Sequence, residues 1–267
     1  MSIAIRTAVA AVLVLAASAP AQAHRAWLAP SATVLSGAEP WVTVDGAVSN
    51  TLFYPDHVAM RLDGLKAIGP DGAPVAIQNS ATGKFRSTFD LQLKAPGTYK
   101  IVSASDNMMA SYKLGGETKR WRGAPAELAT AIPKEATEVN VSSNARRVET
   151  FVTAGAPTTA ALKVTGKGLE LEPITHPNDL VASETARFKL LIDGKPAAGV
   201  EVEVVLGATR YRAKGAEFKL TTGADGVFEV KWPEAGLYWL EASVRGQDAA
   251  GATRSSGYVA TLEVLPD

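Results

Sequence analysis

The chain has 267 residues, 27 basic and 27 acidic side chains, and no cysteine. An apolar content of 46% against 20% charged residues excludes disorder. Zero net charge excludes nucleic-acid binding by phosphate neutralisation, and the missing thiols exclude disulfides, thiol catalysis, iron–sulfur clusters and Cys-ligated zinc.

Residues 1–23 read as a cleaved secretory signal peptide. Arg6 is their only charge, an apolar run follows from Ala8 to Ala17, Pro20 breaks it, and Ala21-Gln22-Ala23 is a small-x-small cleavage site. The run is too short to span a bilayer, and no later segment is long and apolar enough to do so. The expectation is a periplasmic protein without a lipid anchor, stabilised by its core rather than by disulfides. Loss of Arg6 changes the balanced charge to −1, which still names no charged partner.

Cleavage would make His24 the first residue. A terminal histidine can chelate one metal ion through its α-amine and its ring Nδ1, and a terminal amine sheds its proton at a pH of about 8. A further histidine would complete a three-nitrogen site suited to copper or nickel. The competing reading is a frayed terminus.

Short alternating strands follow. Trp41–Val44 is the first, and Asn50–Met60 then reads as a loop around Pro55 and Asp56. This loop carries His57, the favoured partner of His24, with Asp56 as a ligand or orienter. Its alternative is an ordinary surface histidine. Phe89–Leu93 and Tyr99–Val102 are strands. Met108-Met109 could favour a cuprous ion, but neighbours on a strand face opposite ways, so core packing is expected. Lys119-Arg120-Trp121-Arg122 reads as a solvated edge rather than an anion or membrane site. Pro125–Ile132 is the one helical segment, with proline at an early position where its missing N–H costs nothing. The nickel-chelating pattern with histidine at the third position is absent, because the processed chain would begin His24-Arg25-Ala26.

Thr165-Gly166-Lys167-Gly168 reads as a domain boundary, dividing residues 24–166 from 167–267. His176, beside Pro177, is an optional further ligand or an ordinary junction residue. Strands then fall at 186–192, 200–205, 228–232, 238–242 and 258–264. Asp225-Gly226 is a turn; it lacks the acidic ligands of a calcium loop.

The two halves share a pattern. Asp71-Gly72-Ala73-Pro74 and Asp193-Gly194-Lys195-Pro196 open the units, and Phe89…Gly97-Thr98-Tyr99 and Phe228…Gly236-Leu237-Tyr238 close them with equal spacing. The spacing predicts a strand, a glycine turn and a returning strand led by a core aromatic, as in a hairpin. The fold class expected is all-β: two tandem antiparallel β-sandwich domains, immunoglobulin-like or transthyretin-like, after the signal peptide.

Several segments, in order, carry a family resemblance. They are His24-Arg25-Ala26-Trp27-Leu28-Ala29-Pro30 after the signal peptide, Gly168-Leu169-Glu170-Leu171-Glu172-Pro173, Asp193–Pro196, and Asp225-Gly226-Val227-Phe228 through Gly236-Leu237-Tyr238. The whole processed chain resembles a family of exported bacterial domains of unknown function labelled as nickel or cobalt uptake (NikM-like) accessory proteins. The second half also resembles transthyretin-like and carboxypeptidase-regulatory-like sandwiches. The resemblance implies a non-catalytic periplasmic protein holding nickel, cobalt or copper for a membrane transporter, and only the His24 start carries over as a ligand. No nucleophile elbow, zinc-protease motif, P-loop or dinucleotide fingerprint occurs, so no enzyme is expected. Two other readings stand beside the metal site: a sandwich module that binds protein or glycan without metal, and a copper mono-oxygenase built on the terminal histidine.

Overall fold

The computed structural model describes residues 24–207, 217–247 and 251–267. The expected signal peptide lies outside them. The first strands are β1 (Arg25–Pro30), β2 (Val34–Leu35), β3 (Trp41–Ser49), β4 (Val58–Ala59), β5 (Leu65–Ile68) and β6 (Pro74–Val75). There follow β7 (Gln78–Thr82), β8 (Ser87–Gln92), β9 (Gly97–Leu114), β10 (Glu117–Gly123) and β11 (Thr137–Ala154). The second half adds β12 (Leu169–Pro173), β13 (Thr185–Ile192), β14 (Lys195–Pro196), β15 (Glu201–Leu206) and β16 (Glu217–Thr221). It ends with β17 (Val227–Lys231), β18 (Gly236–Gln247) and β19 (Thr253–Val264). The expected helical segment is a 3-10 turn at Pro125–Glu127 running into α1 (Leu128–Ala131), with Glu127 accepting the Ala124 N–H at 3.0 Å. No helix of the described residues is long and apolar enough to cross a membrane.

The protein is an all-β sandwich, as its alternating patterns predict, and its sheets stack in three layers. A central sheet runs β16-β15-β18-β19-β11-β9-β5-β6, with β10 beside β9 and β2 beside β11. An outer sheet, β1-β3-β8-β7 with β4, covers one face; a second, β12-β13-β14 with β17, covers the other. The central strands therefore bury both sides. Tyr238, Leu240 and Ala242 face the C-terminal core, while Trp239 between them faces the N-terminal one. In β19, Tyr258 and Ala260 face the first core and Val259 the second. Full burial of a side chain the size of Leu240 or Val259 contributes about 1.5–3 kcal/mol.

The ladders cross the expected division at 166/167. Ser142–Thr150 of β11 pairs in parallel with Thr253–Thr261 of β19, so one sheet serves both halves. The Gly-rich segment there is fastened: the buried Glu170 carboxylate accepts the N–H groups of Thr165, Gly166 and Lys167. Glu170 and Glu149 flank Arg147 at 3.3 and 3.2 Å, and Tyr258 donates to Glu149 at 2.9 Å. Burial and the Glu149 charge raise the Tyr258 hydroxyl well above its ordinary value.

The internal repeat has a structural counterpart that is not a hairpin. β8 and β9 lie in different sheets, as do β17 and β18. Each Gly-x-Tyr turn carries the chain from an outer layer to the central sheet. Tyr99 donates to Ala95 O and Tyr238 to Glu234 O, both at 2.8 Å, giving the same tyrosine corner twice. The turn glycines have φ of 131° (Gly97) and 148° (Gly236). A Cβ on Gly97 would sit 2.5 Å from Pro70 Cβ, so only glycine fits the corner.

Candidate functional site

The N-terminal strand is held from several directions. Trp27 is buried, its indole N–H donates to Ser49 Oγ at 2.7 Å, and its ring meets Phe53 edge-on at 5.7 Å. Trp239 on the central sheet donates to Ala26 O at 2.9 Å. Arg25 lies over the Trp239 ring and pairs with Glu203 at 2.7 Å and Glu217 at 3.3 Å. His24, though exposed, thus precedes an anchored strand rather than a frayed end.

β1 and β4 flank β3 near its end: Arg25 pairs with Ser49, and Val58 with Val48. One step further on each side are His24 and His57. Their rings stack with centroids 3.8 Å apart and planes 18° from parallel. His24 Nδ1 is hydrogen-bonded to Asn50 Oδ1 at 2.9 Å. The loop carrying His57 closes on the same residue, because Asp56 accepts the Asn50 N–H at 2.7 Å and the Thr51 N–H at 3.1 Å. Burial alone would raise the Asp56 carboxyl, but these backbone N–H groups hold it below its ordinary value. Asp56 therefore shapes the loop around the histidine pair. Phe53 sits in the tight turn at φ 58°, with Tyr54 N–H donating to Thr51 O.

His176 stands elsewhere. It touches Thr98, Thr158 and Asn178, none of which belongs to the His24 loop. Asn178 N–H donates to its Nδ1 at 3.1 Å, which leaves the proton on Nε2 for Thr158 O at 3.2 Å, with Thr98 Oγ1 at 3.0 Å. Burial holds the imidazole below its ordinary value, outweighing the Thr158 carbonyl and Asp179. Both ring nitrogens are thus engaged.

Among the described residues no group of three or more His, Cys, Asp or Glu side chains could hold a metal. The pair at His24 and His57 needs a donor other than a side chain of those types, and the α-amine that cleavage before His24 would free is one. Donor chemistry fits: two imidazoles and an amine are borderline nitrogen ligands suited to late divalent metals. The sequence reading missed Asn50, which no motif marks, and Trp239 and Arg25, which act through a partner far along the chain. Met109 is 42% exposed and Met108 half-buried, so the expectation of core packing there is corrected; the strands β9 and β11 outrun the outer sheets at that point. Lys119–Arg122 lies on the edge strand β10 with Trp121 half-buried, a solvated edge.

Among solved structures, the chain is similar to the D0-D1 domain of intimin, at 13% identity over 89% of this chain and 97% of that one, with a TM-score of 0.24. It is also similar to a Ca2+-stabilised ice-binding adhesin of an Antarctic bacterium, at 13% identity over 92% and 75%, TM-score 0.25. A third likeness is to the human OSCAR ligand-binding domain, at 12% identity over 91% and 100%, TM-score 0.20. No curated protein matches the chain. Residues 21–246 match the domain of unknown function DUF4198, and the chain belongs to that family.

Proposed function

We propose that this β-sandwich protein is an exported, non-catalytic transition-metal-binding accessory protein, acting in the periplasm beside a membrane metal transporter. The ligands are the imidazoles of His24 and His57 and the α-amine that His24 gains when residues 1–23 are removed. The stacking of these two rings at the start of an anchored strand carries the reading, since residues 33 positions apart meet with no structural bond between them. A nitrogen donor set of this kind favours Cu²⁺ or Ni²⁺ over Co²⁺ by the usual order of divalent affinities. Asp56 and Asn50 orient the pair. His24 Nδ1, an N–H donor to Asn50 Oδ1, gives up that partner and, with its proton moved to Nε2, presents its lone pair to the ion when metal binds.

Calorimetric titration of correctly processed protein with Ni²⁺, Co²⁺ and Cu²⁺ tests this. A single extra residue before His24 should weaken binding about 100-fold, because it removes one arm of a linked chelate. Equal binding by processed and extended chains, or by a His24→Ala chain, overturns it. N-terminal sequencing of the exported protein must return His24 as the first residue.

A further inference from the structure

Away from the histidine pair, the face of the central sheet that carries the C-terminal core continues onto β9 and β5. Lys100 and Val102 of β9 lie on it, level with Ile68 and Lys66 of β5 and with Phe151 and Glu149 of β11. No strand of the outer sheet covers this stretch. Instead the segment around Ala160–Leu162 and Lys163 folds over it, leaving a cleft of about 700 Å³.

At the floor of that cleft Lys100 is only 6% exposed. Its Nζ donates to Lys163 O at 3.0 Å, and no carboxylate of the described residues lies within ion-pairing distance of it. An ammonium has three N–H donors, and a buried one without a counter-ion leaves donors to be met by another acceptor. The acids nearby are already engaged. Glu149 and Glu170 hold Arg147, Asp63 pairs with Arg61 at 2.6 Å, and Asp71 accepts the Ala73 N–H at 2.9 Å. Lys66 and Lys163 also line the cleft, both exposed and neither ion-paired among the described residues. Three lysines thus line one recess with Arg147, and its walls include the small and apolar residues Gly64, Gly72, Ala160 and Val102. Asp63 and Asp71 line the rim as well, so the cleft is mixed in sign with cations in excess, and Lys100 on the sheet is its buried charge. A recess with such an excess focuses its field on an incoming anion.

We propose that this cleft is a binding site for a small ligand bearing an oxyanion, a carboxylate or phosphate group, whose charge is met by Lys100 at the floor and by Lys66 and Lys163 at the mouth. The carbon body of the ligand lies against the glycine and alanine walls. Nothing in this site uses His24, so the two sites are separable.

The test is titration of the processed protein with inorganic phosphate and, separately, with tricarballylate, followed by calorimetry and thermal melting against chloride of equal ionic strength. Either anion should bind and raise the melting temperature where chloride does not, and the arm that responds names the class. Lys100→Met keeps the apolar stem and should weaken binding about ten-fold or more, the size of one charge-assisted hydrogen bond. The exposed changes Lys66→Gln and Lys163→Gln read the same site if the buried variant does not fold, and each should weaken binding about three-fold through loss of one screened charge. Lys189→Gln on the outer sheet and His24→Ala should leave it unchanged. Failure of both anions to exceed chloride, or isotherms of the three cleft variants that coincide with wild type, overturns the proposal.

Discussion

Two histidine environments sit at opposite ends of β1, and they differ in what holds their rings. His24 and His57 are exposed, stacked on each other, and joined to the fold through one hydrogen bond to Asn50. His176 is half-buried, with both ring nitrogens engaged by Thr98, Thr158 and Asn178. Asn178 reaches Thr153, whose N–H donates to Thr33 O beyond the far end of β1; the six residues of that strand span about 20 Å. The difference teaches that the availability of a histidine depends on what its second nitrogen is doing. An imidazole whose two nitrogens are satisfied inside the fold is a structural link. A pair resting on each other at the surface keeps lone pairs to offer.

The anchoring of the first end gives the largest expected effect. Trp239→Ala removes a fully buried indole and the bond to Ala26 O, and should cost about 3–5 kcal/mol in urea unfolding. It should also weaken metal binding by loosening the base of His24. Unaltered metal binding in this variant would break the link between the anchored strand and the site.

Next, His57→Ala should lower metal affinity about 10–100-fold, the range seen when a group that fixes a metal site is lost. His176→Ala should leave it within about two-fold, because the two sites share no contact. The reverse ranking in calorimetry would invert the comparison altogether.

Asp56→Ala frees the Asn50 and Thr51 N–H groups and unfastens the loop. Metal affinity should fall about ten-fold as the loop loosens, and folding stability should fall by no more than about 1–3 kcal/mol, the worth of hydrogen bonds to a charged group. A large fall in stability with intact metal binding would make Asp56 a purely structural residue.

The smallest effect is a pH slope. His176 has a folded value below its ordinary one, so the unfolded chain binds more protons as pH falls below about 6.5. Stability should therefore decline on acidification through that window, and the decline should stop once pH passes below the folded value. His176→Gln removes this part of the slope. Urea midpoints at pH 7.5 and 5.5 that change equally in wild type and variant would show that the ring is not held neutral.

Much of the fold was readable because each strand carries its own period. The eight strand segments that begin at Trp41, Phe89, Tyr99, Ala186, Val200, Phe228, Tyr238 and Tyr258 each coincide with a strand, with Leu93, Val200 and Trp232 one residue beyond a strand end, and Pro125 opens the short helical turn. The three-layer stack was not. Its trace in the sequence is the consecutive apolar residues Val204-Val205-Leu206, Tyr238-Trp239-Leu240 and Tyr258-Val259-Ala260, which mark strands buried on both faces. Alternation alone describes a strand with one wet side, and two separate sandwiches followed from that. The Phe-Gly-Tyr spacing correctly marked two equivalent corners, but a corner between sheets and a hairpin within one have the same local chemistry, so spacing did not distinguish them.

The sequence by itself determined the strand periods, the duplicated corner, and the small-residue pattern that would leave His24 at a terminus. These are local properties, set by residues within a few positions of each other. Only the tertiary structure decided that one sheet serves both halves, that Trp239 holds the first strand, that His57 rather than His176 rests against His24, and that Lys100 lies buried without an acid. Each of those joins residues from 33 to more than 200 positions apart or depends on which groups fill the space around a side chain. Chain spacing carries no record of such meetings, because packing between layers, not the covalent backbone, brings them about.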